Sequence, residues 1–451
     1  MIKAMKFGGT SVGSVDALER MTSIIKNEPA KKVVVVSAMS GVTNSLIACI
    51  RDRPDTGEFV GQVRTKYASA GKILMKPDVF ERYGKALDES IGGLSKALDA
   101  RKKADADPVL DDLISSWGER LSTITVAHIL QSRGVDGIAV SSEESGLIAE
   151  GTPGNGSANL EATYRNMKKN IIPLLEEGKT PVHTGYYGVD RKGVPMTFGR
   201  GGSDYSGSVV AFGLDANMCE IWTDVNGFMT ADPRAVTGAR TIDEMDYSEA
   251  AELAYFGAKV LHPRTIEPVR KKNIPLTVKN TFNPEAPGTL IRRQKSDGGD
   301  LLRSVAVKCD LSIVKIYSSE IVYQPGLISR LIGSISDAAV NTYAVSTSLS
   351  TLAVVVPTTA VDEVIRRISA LNEPQIEKLT VKGNVSLICC VGDNMINMPG
   401  VAAKVFANVA EIGANIEMIS EGASDVALNF AVPSEKALDA VRSIHNTFIG
   451  G

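Results

Sequence analysis

The sequence predicts an α/β protein: a three-layer αβα domain with a mainly parallel central sheet, followed by two small α+β domains. Three observations predict this. Apolar runs alternate with helical patterns as far as about Thr289, which is typical of a parallel sheet covered by helices on both faces. A segment rich in Pro, Gly and charge follows over 283–300 and suits an exposed linker. Beyond it, residues 324–346 align without a gap on 398–420, so the chain contains an internal repeat with a period of 74 residues.

In the first domain, apolar runs predict strands and a 3.6-residue periodicity predicts helices. The β-branched run at 33–36 lacks polar alternation, as expected of a strand buried on both faces. The predicted strands are Ile2–Phe7, Val33–Val36, Val135–Val140, Pro181–Thr184 and Cys219–Thr223. The predicted helices are Val15–Ile25, Thr43–Ile50 and a series over Val60–Gln131 that Pro77 and Pro108 interrupt.

Each repeat predicts a βαββα unit that a further strand would close to βαββαβ. The two copies are identical at Pro325/Pro399, Gly326/Gly400, Asn341/Asn415 and Ser346/Ser420. In each copy the Pro-Gly turn opens an amphipathic helix, and a second helix follows at Val361–Leu371 and Glu435–Asn446. The predicted domains are therefore 1–290, a linker at 291–303, and the repeats 304–378 and 379–451.

Charge and composition exclude several classes of protein. The 451 residues include 49 basic and 52 acidic side chains, so a net charge of −3 predicts neither a nucleic acid nor a membrane as partner. The longest apolar run is far short of the ~20 residues that a spanning helix needs, and the N-terminus lacks the apolar core of a signal peptide. Five scattered cysteines and four histidines form no metal-binding motif, which predicts free thiols, a cytoplasmic protein and no metal held by the protein itself.

Glycine clusters at the predicted strand ends indicate a binding site. Lys6-Phe7-Gly8-Gly9-Thr10-Ser11 lies where the first strand passes to a helix, so the backbone can approach a ligand and the lysine can neutralise phosphate charge. A plain strand–helix turn is the alternative. A second such junction, 37–44, is rich in small and hydroxyl residues. Ligands of open α/β sheets bind outside the carboxyl ends of neighbouring strands, which favours the binding interpretation.

Two further clusters carry charged side chains. Residues 199–204 combine three glycines with Arg200, which suits a carboxylate or phosphate, and Asp204, which could instead cap the following helix. In the other, Asp224 ends a strand and could reach a ribose hydroxyl or a metal, while Asp232-Pro233 is typical of a turn. The Gly178-Lys179-Thr180 segment lacks the upstream glycine of a P-loop, and Asp204 stands where a dinucleotide-binding motif needs glycine.

Six segments together resemble the signatures of monofunctional aspartate kinases, members of the amino-acid kinase superfamily that carry two C-terminal ACT domains of βαββαβ type. They are KFGGTSVG, SAMSGVTN, WGERLST, FGRGGSDYSG, TDVNGFMTADPR and FGAKVLHPRT. The resemblance covers essentially the whole chain. It implies transfer of a phosphoryl group from ATP, accompanied by Mg²⁺, to the side-chain carboxylate of L-aspartate. The product would be 4-phospho-L-aspartate, at the entry to lysine, threonine and methionine biosynthesis.

The same resemblance implies roles for individual residues. Lys6 and Asp204 would be catalytic, the first as a charge stabiliser and the second as an organiser of the site. The positions that match aspartate-binding residues are Ser37, Thr43, Glu119, Arg200, Gly201, Gly202 and Ser203. The positions that match ATP-binding residues are Lys6, Gly8, Gly9, Thr223, Asp224, Met229, Arg234, Lys259 and Val260. His262 is interpreted as a packed structural residue.

The repeats imply regulation by an amino acid. ACT domains of aspartate kinases pair between subunits and bind end products, which implies an effector site with Gly326, Asn341 and Asn415 in a homodimer or a dimer of dimers. Tyr343 and Leu349 stand where lysine-sensitive relatives tend to be acidic, so threonine is favoured, although Glu417 in the second repeat keeps lysine open. Two alternatives remain: a kinase of another amino-acid carboxylate, and a non-catalytic amino-acid sensor.

Overall fold

The computed structural model describes residues 1–257, 260–293, 301–393, 395, 398–422 and 424–450. The chain divides into two compact units. The first comprises Met1–Phe228, Thr241–Ala251 and Lys259–Gln294, and the second comprises Met229–Arg240, Glu252–Ala258 and Lys295–Gly451. Most of the predicted linker at 291–303 lies outside the described residues, because 294–300 are not among them.

The first unit contains the strands β1 (Ile2–Phe7), β2 (Lys31–Val36), β3 (Gly137–Val140), β4 (Ala149–Thr152), β5 (Asn155–Ala158), β6 (Thr180–Thr184), β7 (Tyr187–Val189), β8 (Pro195–Thr197), β9 (Met218–Thr223), β10 (Glu244–Met245), β11 (Leu276–Asn280) and β12 (Thr289–Ile291). Its helices are α1 (Val15–Asn27), α2 (Val42–Asp52), α3 (Thr56–Leu74), α4 (Pro77–Lys102), α5 (Pro108–Ser132), α6 (Ser142–Ser145), α7 (Leu160–Asn170), α8 (Ile172–Glu176), α9 (Gly202–Gly213), α10 (Tyr247–Phe256, which ends in the second unit) and α11 (Ile266–Lys271). Short 3-10 helices lie at Thr10–Val12 and Pro263–Thr265.

An eight-stranded sheet forms the centre of this unit, in the order β10-β12-β11-β9-β1-β2-β6-β3. All pairs are parallel except β11 with β12. The five strands predicted from apolar runs are all present, and the predicted fold class is confirmed. Strand β1 lies between β2 and β9, so the carboxyl ends of these three strands are neighbours at one edge of the sheet.

Helices α3, α4 and α5 account for the long helical pattern after the second strand. Pro77 and Pro108 begin α4 and α5, where a missing backbone N–H costs nothing. Both predicted interruptions of the helical pattern are therefore confirmed. The inner faces of these helices bury large side chains, among them Tyr67 and Tyr83, in one core that also includes Phe7 of β1. The phenol of Tyr67 donates to the carbonyl of Gly118 (2.9 Å), which ties α3 to α5.

Several short strands were not predicted from the sequence. The hairpins β4–β5 and β7–β8 each stand apart from the main sheet as two-stranded ribbons. Their strands are only three or four residues long and include Gly151, Gly156 and Gly188, so neither alternation nor an apolar run marks them in the sequence.

The second unit contains the strands β13 (Ser304–Tyr317), β14 (Ala344–Thr347), β15 (Thr351–Pro357), β16 (Lys378–Val391), β17 (Met418–Ser420) and β18 (Ala427–Pro433). Its helices are α12 (Leu327–Asp337), α13 (Val361–Ala370), α14 (Val401–Glu411) and α15 (Ser434–Phe448), with a 3-10 turn at Thr358–Ala360. The order β13-α12-β14-β15-α13-β16 is the βαββαβ pattern that the first repeat predicts. Gly326 and Gly400 precede α12 and α14, which confirms that both Pro-Gly turns open helices.

The strands of both repeats form one antiparallel sheet in the order β14-β15-β13-β16-β18-β17. The long strands β13 and β16 each serve both repeats. Residues 311–317 of β13 pair with β15 of the first repeat, whereas 304–308 pair with the part of β16 that borders β18. Leu302 and Val305 accordingly lie in the core that α14 and α15 cover. The predicted division at 378/379 stays a prediction.

None of the helices described here combines the length and the apolar character needed to cross a membrane.

Candidate active site

A cleft of about 500 Å³ lies in the first unit, at the carboxyl ends of β1 and β9. It is lined by Lys6, Gly8, Gly9, Thr10, Ser40, Gly41, Gly201, Asp204, Thr223, Asp224, Val260, Leu261 and His262. The lining brings together residues from all four glycine clusters of the sequence. Its position at the strand ends is the one that open α/β sheets use for ligands.

Lys6 and Asp204 form an ion pair in the cleft. The lysine side chain is nearly buried, and it extends from β1 towards the start of α9. A Cβ atom on Gly207 of α9 would lie 2.8 Å from the Cβ of Lys6, so the absence of a side chain there lets the helix approach the strand. The interaction fixes the ammonium group beside the glycines at the end of β1.

Asp204 is the third residue of α9, and the residue before the helix is Gly201, which makes no side-chain capping bond. Asp204 therefore lies within the helix and pairs with Lys6, and it does not cap α9. A carboxylate in the first turn also interacts favourably with the helix dipole.

Two helix N-termini face the cleft. Gly41 precedes α2 with a φ angle of 83°, and Gly201 precedes α9 with a φ angle of 70°. The unpaired N–H groups of a first helical turn attract anions. Ser40 Oγ donates to the carbonyl oxygen of Gly9 (2.8 Å), which joins the first two glycine clusters. Backbone donors and Lys6 together make this cleft suited to phosphate groups.

His262 lines the cleft and packs against Gly201, and its interpretation as a structural residue stays a prediction. A Cβ on Gly201 would lie 2.2 Å from the Cβ of His262, which leaves no space for any other residue at 201. Burial lowers the pKa of His262, so its ring is neutral at physiological pH. Its Nδ1 accepts a hydrogen bond from the backbone N–H of Arg264 (3.3 Å).

Glu119 of α5 is buried, and one of its two carboxyl oxygens accepts no hydrogen bond among the described residues. It is 2% exposed, and its Oε2 has no hydrogen-bond partner among the described residues. Ser203 Oγ approaches Oε1 at 3.4 Å, a weak contact. Burial raises the pKa of Glu119 to about 8. Ser203 and the charge of Lys6 favour the ionised form but do not offset burial, and a cation bound at Oε2 would stabilise that form further.

The other residues matched to aspartate binding lie around this cleft without lining it. Ser37 follows β2, and Thr43 lies in the first turn of α2. Gly202 and Ser203 begin α9, while the side chain of Arg200 is exposed in front of that helix. Their roles stay predictions.

Three of the residues matched to ATP binding are not placed at the cleft by the structure. Met229 and Arg234 belong to the second unit, and Lys259 lies outside the described residues. Arg234 pairs with Asp232 (2.6 Å), whose Oδ1 also accepts from the Arg234 backbone N–H, as expected of a turn.

Four lining residues, Thr10, Ser40, Gly41 and Leu261, are not among the site residues predicted from the sequence. Ser40 and Gly41 lie inside the predicted junction 37–44, so the signal was present there without a choice of residue. Thr10 follows the Gly8-Gly9 pair directly. Leu261 carries no chemical signal, because an apolar residue in a sequence is more simply explained by a core.

Comparisons with known proteins agree with this geometry. The model of the amino acid kinase family matches residues 1–280, and a model of the ACT domain matches residues 388–448. Lysine-sensitive aspartokinase 3 of Escherichia coli (strain K12) is 30% identical over 456 residues, with 99% of this chain and 98% of that protein covered. Aspartokinase 2, chloroplastic, of Arabidopsis thaliana is 30% identical, with 98% of this chain and 84% of that protein covered.

Solved structures give the same result over the full length. The crystal structure of E. coli aspartokinase III in complex with aspartate and ADP has a TM-score of 0.84 at 29% identity and covers 100% of both chains. The structure of the same enzyme with lysine and aspartate has a TM-score of 0.83. With the kinase model matched over more than half of the chain and the relatives matched over nearly all of it, this chain belongs to the amino acid kinase family and, within it, to the aspartokinases.

Proposed function

We propose that this chain transfers the γ-phosphoryl group of ATP to the side-chain carboxylate of L-aspartate, which gives ADP and 4-phospho-L-aspartate. The observation that carries the proposal is a pair of contacts made by neighbouring residues of α9. Asp204 forms an ion pair with Lys6 in a cleft lined by glycine backbone, and Ser203 contacts the buried carboxyl group of Glu119. One part of this arrangement suits phosphates and the other suits an ammonium group. The aspartokinase relatives support the same reaction.

The proposed chemistry needs no general base, because the attacking carboxylate is already ionised at neutral pH. Catalysis then depends on alignment and on stabilising charge on the transferred phosphoryl group. Lys6 supplies a positive charge at that group, and Asp204 keeps the lysine in place. Gly8 and Gly9 give backbone contacts to phosphate, while Thr223, Asp224 and Val260 hold the rest of the nucleotide. Met229, Arg234 and Lys259 are proposed ATP contacts on the resemblance alone.

Aspartate is proposed to bind through its α-ammonium group and a carboxylate group. Glu119 takes the α-ammonium group and Arg200 takes a carboxylate, with Ser37, Thr43, Gly201, Gly202 and Ser203 providing the remaining contacts. Glu119 fits its role because burial raises its pKa to about 8 and its Oε2 accepts no hydrogen bond among the described residues, so a bound ammonium group would stabilise the ionised form.

Magnesium enters the proposal as the companion of ATP. The cleft contains two carboxylates, those of Asp204 and Asp224. Oxygen donors of this kind suit a Mg²⁺ ion whose other ligands are phosphate oxygens and water. Within the described residues, no group of three or more His, Cys, Asp or Glu side chains is arranged to hold a metal ion. When bound to the phosphates, the ion neutralises part of their charge.

The activity is tested by ADP release with aspartate, glutamate and N-acetylglutamate as acceptors, each at saturating ATP and Mg²⁺. We expect turnover with aspartate and at least 100-fold less with the other two, because a longer side chain displaces the carboxylate from the phosphoryl group. Preference for glutamate or acetylglutamate would establish a kinase of another carboxylate. No turnover with any acceptor would establish the non-catalytic amino-acid sensor.

Regulation by an amino-acid effector, threonine or lysine, is proposed for the second unit, in a homodimer or a dimer of dimers. Gly326 at the start of α12 would meet the effector carboxylate, and Asn341 and Asn415 would bind its polar groups. Both asparagines lie three residues before a strand, Asn341 before β14 and Asn415 before β17. The E. coli relative is described as lysine-sensitive. Glu417, the acidic candidate for a lysine ammonium group, is instead paired with Lys382 and accepts from Asn415 Nδ2 (3.3 Å).

We expect one of the two amino acids, at saturating concentration, to inhibit the kinase, and Asn341→Ala to weaken that inhibition at least tenfold without changing uninhibited kcat. Asn446→Ala is the matched control, since Asn446 is an exposed asparagine of the helix α15 in the same unit. Inhibition by lysine alone would overturn the preference for threonine. No response to either amino acid, in a dimer confirmed by light scattering, would contradict a regulatory role of the repeats.

The entry position in lysine, threonine and methionine biosynthesis follows from the proposed product. A cytoplasmic location is proposed with it, supported by the five cysteines, all of which are free and four of which are buried.

A further inference from the structure

The backbone on both sides of Arg200 has a defined left-handed conformation, whereas the Arg200 side chain makes no contact with the described residues that would fix its direction. Arg200 lies between Gly199 and Gly201, whose φ angles are 71° and 70°. Its guanidinium is exposed and makes no hydrogen bond or ion pair with the rest of the described chain. A side chain without contacts of its own can be aimed only by the backbone that carries it. The residues that hold this backbone therefore determine where the guanidinium points.

Asp112 holds the segment from one side. This carboxyl group of α5 is 5% exposed. Its Oδ2 accepts from the backbone N–H groups of Gly154 (2.9 Å) and Thr197 (2.8 Å), and its Oδ1 accepts from Thr197 Oγ1 (2.7 Å). Three donors satisfy a buried carboxylate in a fixed orientation. Asp112 thus fixes the end of β8, three residues before Arg200.

Arg264 holds the next residue from the other side. Its Nη1 donates to the carbonyl oxygen of Phe198 (3.0 Å), and its Nη2 donates to the carbonyl of Gly156 (2.6 Å) and to Ser157 Oγ (2.9 Å). The guanidinium also lies over the ring of Tyr205, 4.9 Å from its centroid. This arginine follows His262-Pro263 in the sixth signature segment, and no step of the proposed reaction uses it.

We propose that Asp112 and Arg264 are positioning residues that aim Arg200 at the aspartate carboxylate and so set the affinity for the amino-acid substrate. The proposal rests on the proposed function, in which Arg200 binds that carboxylate. The two side chains hold consecutive residues, Thr197 and Phe198, and the left-handed backbone at Gly199 leads directly from them to Arg200. Neither Asp112 nor Arg264 lines the cleft, so both act through the segment that they hold.

Arg264→Lys tests one side of this arrangement. A lysine keeps the positive charge but cannot reach three acceptors with a planar fork. We expect KM for aspartate to rise about tenfold, since small misplacement of a binding group is costly, while KM for ATP and kcat stay within about twofold. Tyr205→Phe is the matched control: it keeps the ring under Arg264 but removes the hydrogen bond from Ala158 N to its hydroxyl, and it should leave all three constants unchanged.

Asp112 offers a conservative and a disruptive variant. In Asp112→Asn the amide oxygen can still accept from the two backbone N–H groups while the amide nitrogen donates to Thr197 Oγ1, so KM for aspartate should stay near that of the wild type. Asp112→Ala removes all three contacts and should raise KM for aspartate about tenfold. Equal rises in KM for aspartate and ATP in Asp112→Ala and Arg264→Lys, with a lowered Tm, would show a general structural role and overturn the proposal.

A double variant separates this proposal from the proposed function. If Arg264 acts through Arg200, Arg264→Lys adds nothing to the KM of Arg200→Ala. Independent effects that multiply in the double variant would overturn the positioning role. If Arg200→Ala raises KM and Arg264→Lys does not, the positioning role alone fails. If Arg200→Ala leaves KM for aspartate unchanged, the assignment of Arg200 in the proposed function fails, and the positioning role fails with it.

Discussion

Replacing Lys6 by methionine should lower kcat by a factor of about 10² to 10³, because it removes a preorganised positive charge from the transferred phosphoryl group. Methionine keeps most of the aliphatic length that packs against Gly207, so the loss is one of charge and not of volume. The carboxylate of Asp204 loses its partner as well, but 17% of its side chain is accessible to solvent, which limits the effect on stability. The measurement is steady-state ADP release together with a thermal melt.

Lys3→Met is the matched control for this variant. Lys3 lies on the same strand, outside the cleft, and pairs with Glu28 (2.5 Å) and Glu220 (3.2 Å). Its loss should affect Tm and leave kcat within about twofold, as expected for a residue that only stabilises the fold. A Lys6→Met enzyme with near-normal kcat would remove Lys6 from the catalytic machinery.

Replacing Glu119 by glutamine should raise KM for aspartate by about 30-fold or more, because an amide cannot provide the negative charge that an ammonium group needs. The wild-type enzyme should also show a distinctive pH dependence. Burial raises the pKa of Glu119 to about 8, and only the ionised form attracts the ammonium group. KM for aspartate should therefore rise as the pH falls below about 8, by up to tenfold per unit, whereas Glu119→Gln should lack this slope.

Stability gives a second measurement of the same group. A carboxyl group whose pKa is raised on folding holds its proton in the folded state after the unfolded chain has released it, so stability falls between about pH 4.5 and 8. Glutamine carries no such proton. The Tm of Glu119→Gln relative to the wild type should consequently be higher at pH 9 than at pH 5. Glu220→Gln, which alters another buried glutamate on β9, should leave the slope of KM with pH intact. Persistence of that slope in Glu119→Gln would assign it to a different group.

The parts of the fold that the sequence predicts best are those that follow from periodicity and covalent geometry. The β-branched run at 33–36 predicts β2, and shorter apolar segments predict β1 and β9. The prolines at 77 and 108 predict the interruptions of the helical pattern at which α4 and α5 begin. The Pro-Gly turns located α12 and α14 in the same way. The short hairpins were not predictable, because strands of three or four residues show neither an apolar run nor a clear alternation of apolar and polar residues.

The site was predicted as a set of glycine clusters, and the structure adds the relations between them. Nothing in the sequence shows that Asp204 pairs with Lys6 across 198 residues or that Gly201 touches His262. These relations arise from the order of the strands and the approach of α9. Glu119 shows the same limit: as a glutamate on a helix it resembles any solvated charge, and only its burial and its vacant oxygen distinguish it. Sequence patterns identify chemical types, whereas side-chain environment depends on tertiary packing.

Strands β13 and β16 make the two repeats inseparable. Each strand is an inner strand of one four-stranded half-sheet at one end and the edge strand of the other half-sheet at its other end. The register is irregular between these two parts, near residues 308–313 of β13. Cutting the chain between the repeats would leave each half with an unpaired strand edge, a surface prone to self-association. The duplication visible in the sequence is thus not a pair of exchangeable modules. It behaves as a single mechanical element, in which a shift of either half is carried into the other along the covalent backbone of two shared strands.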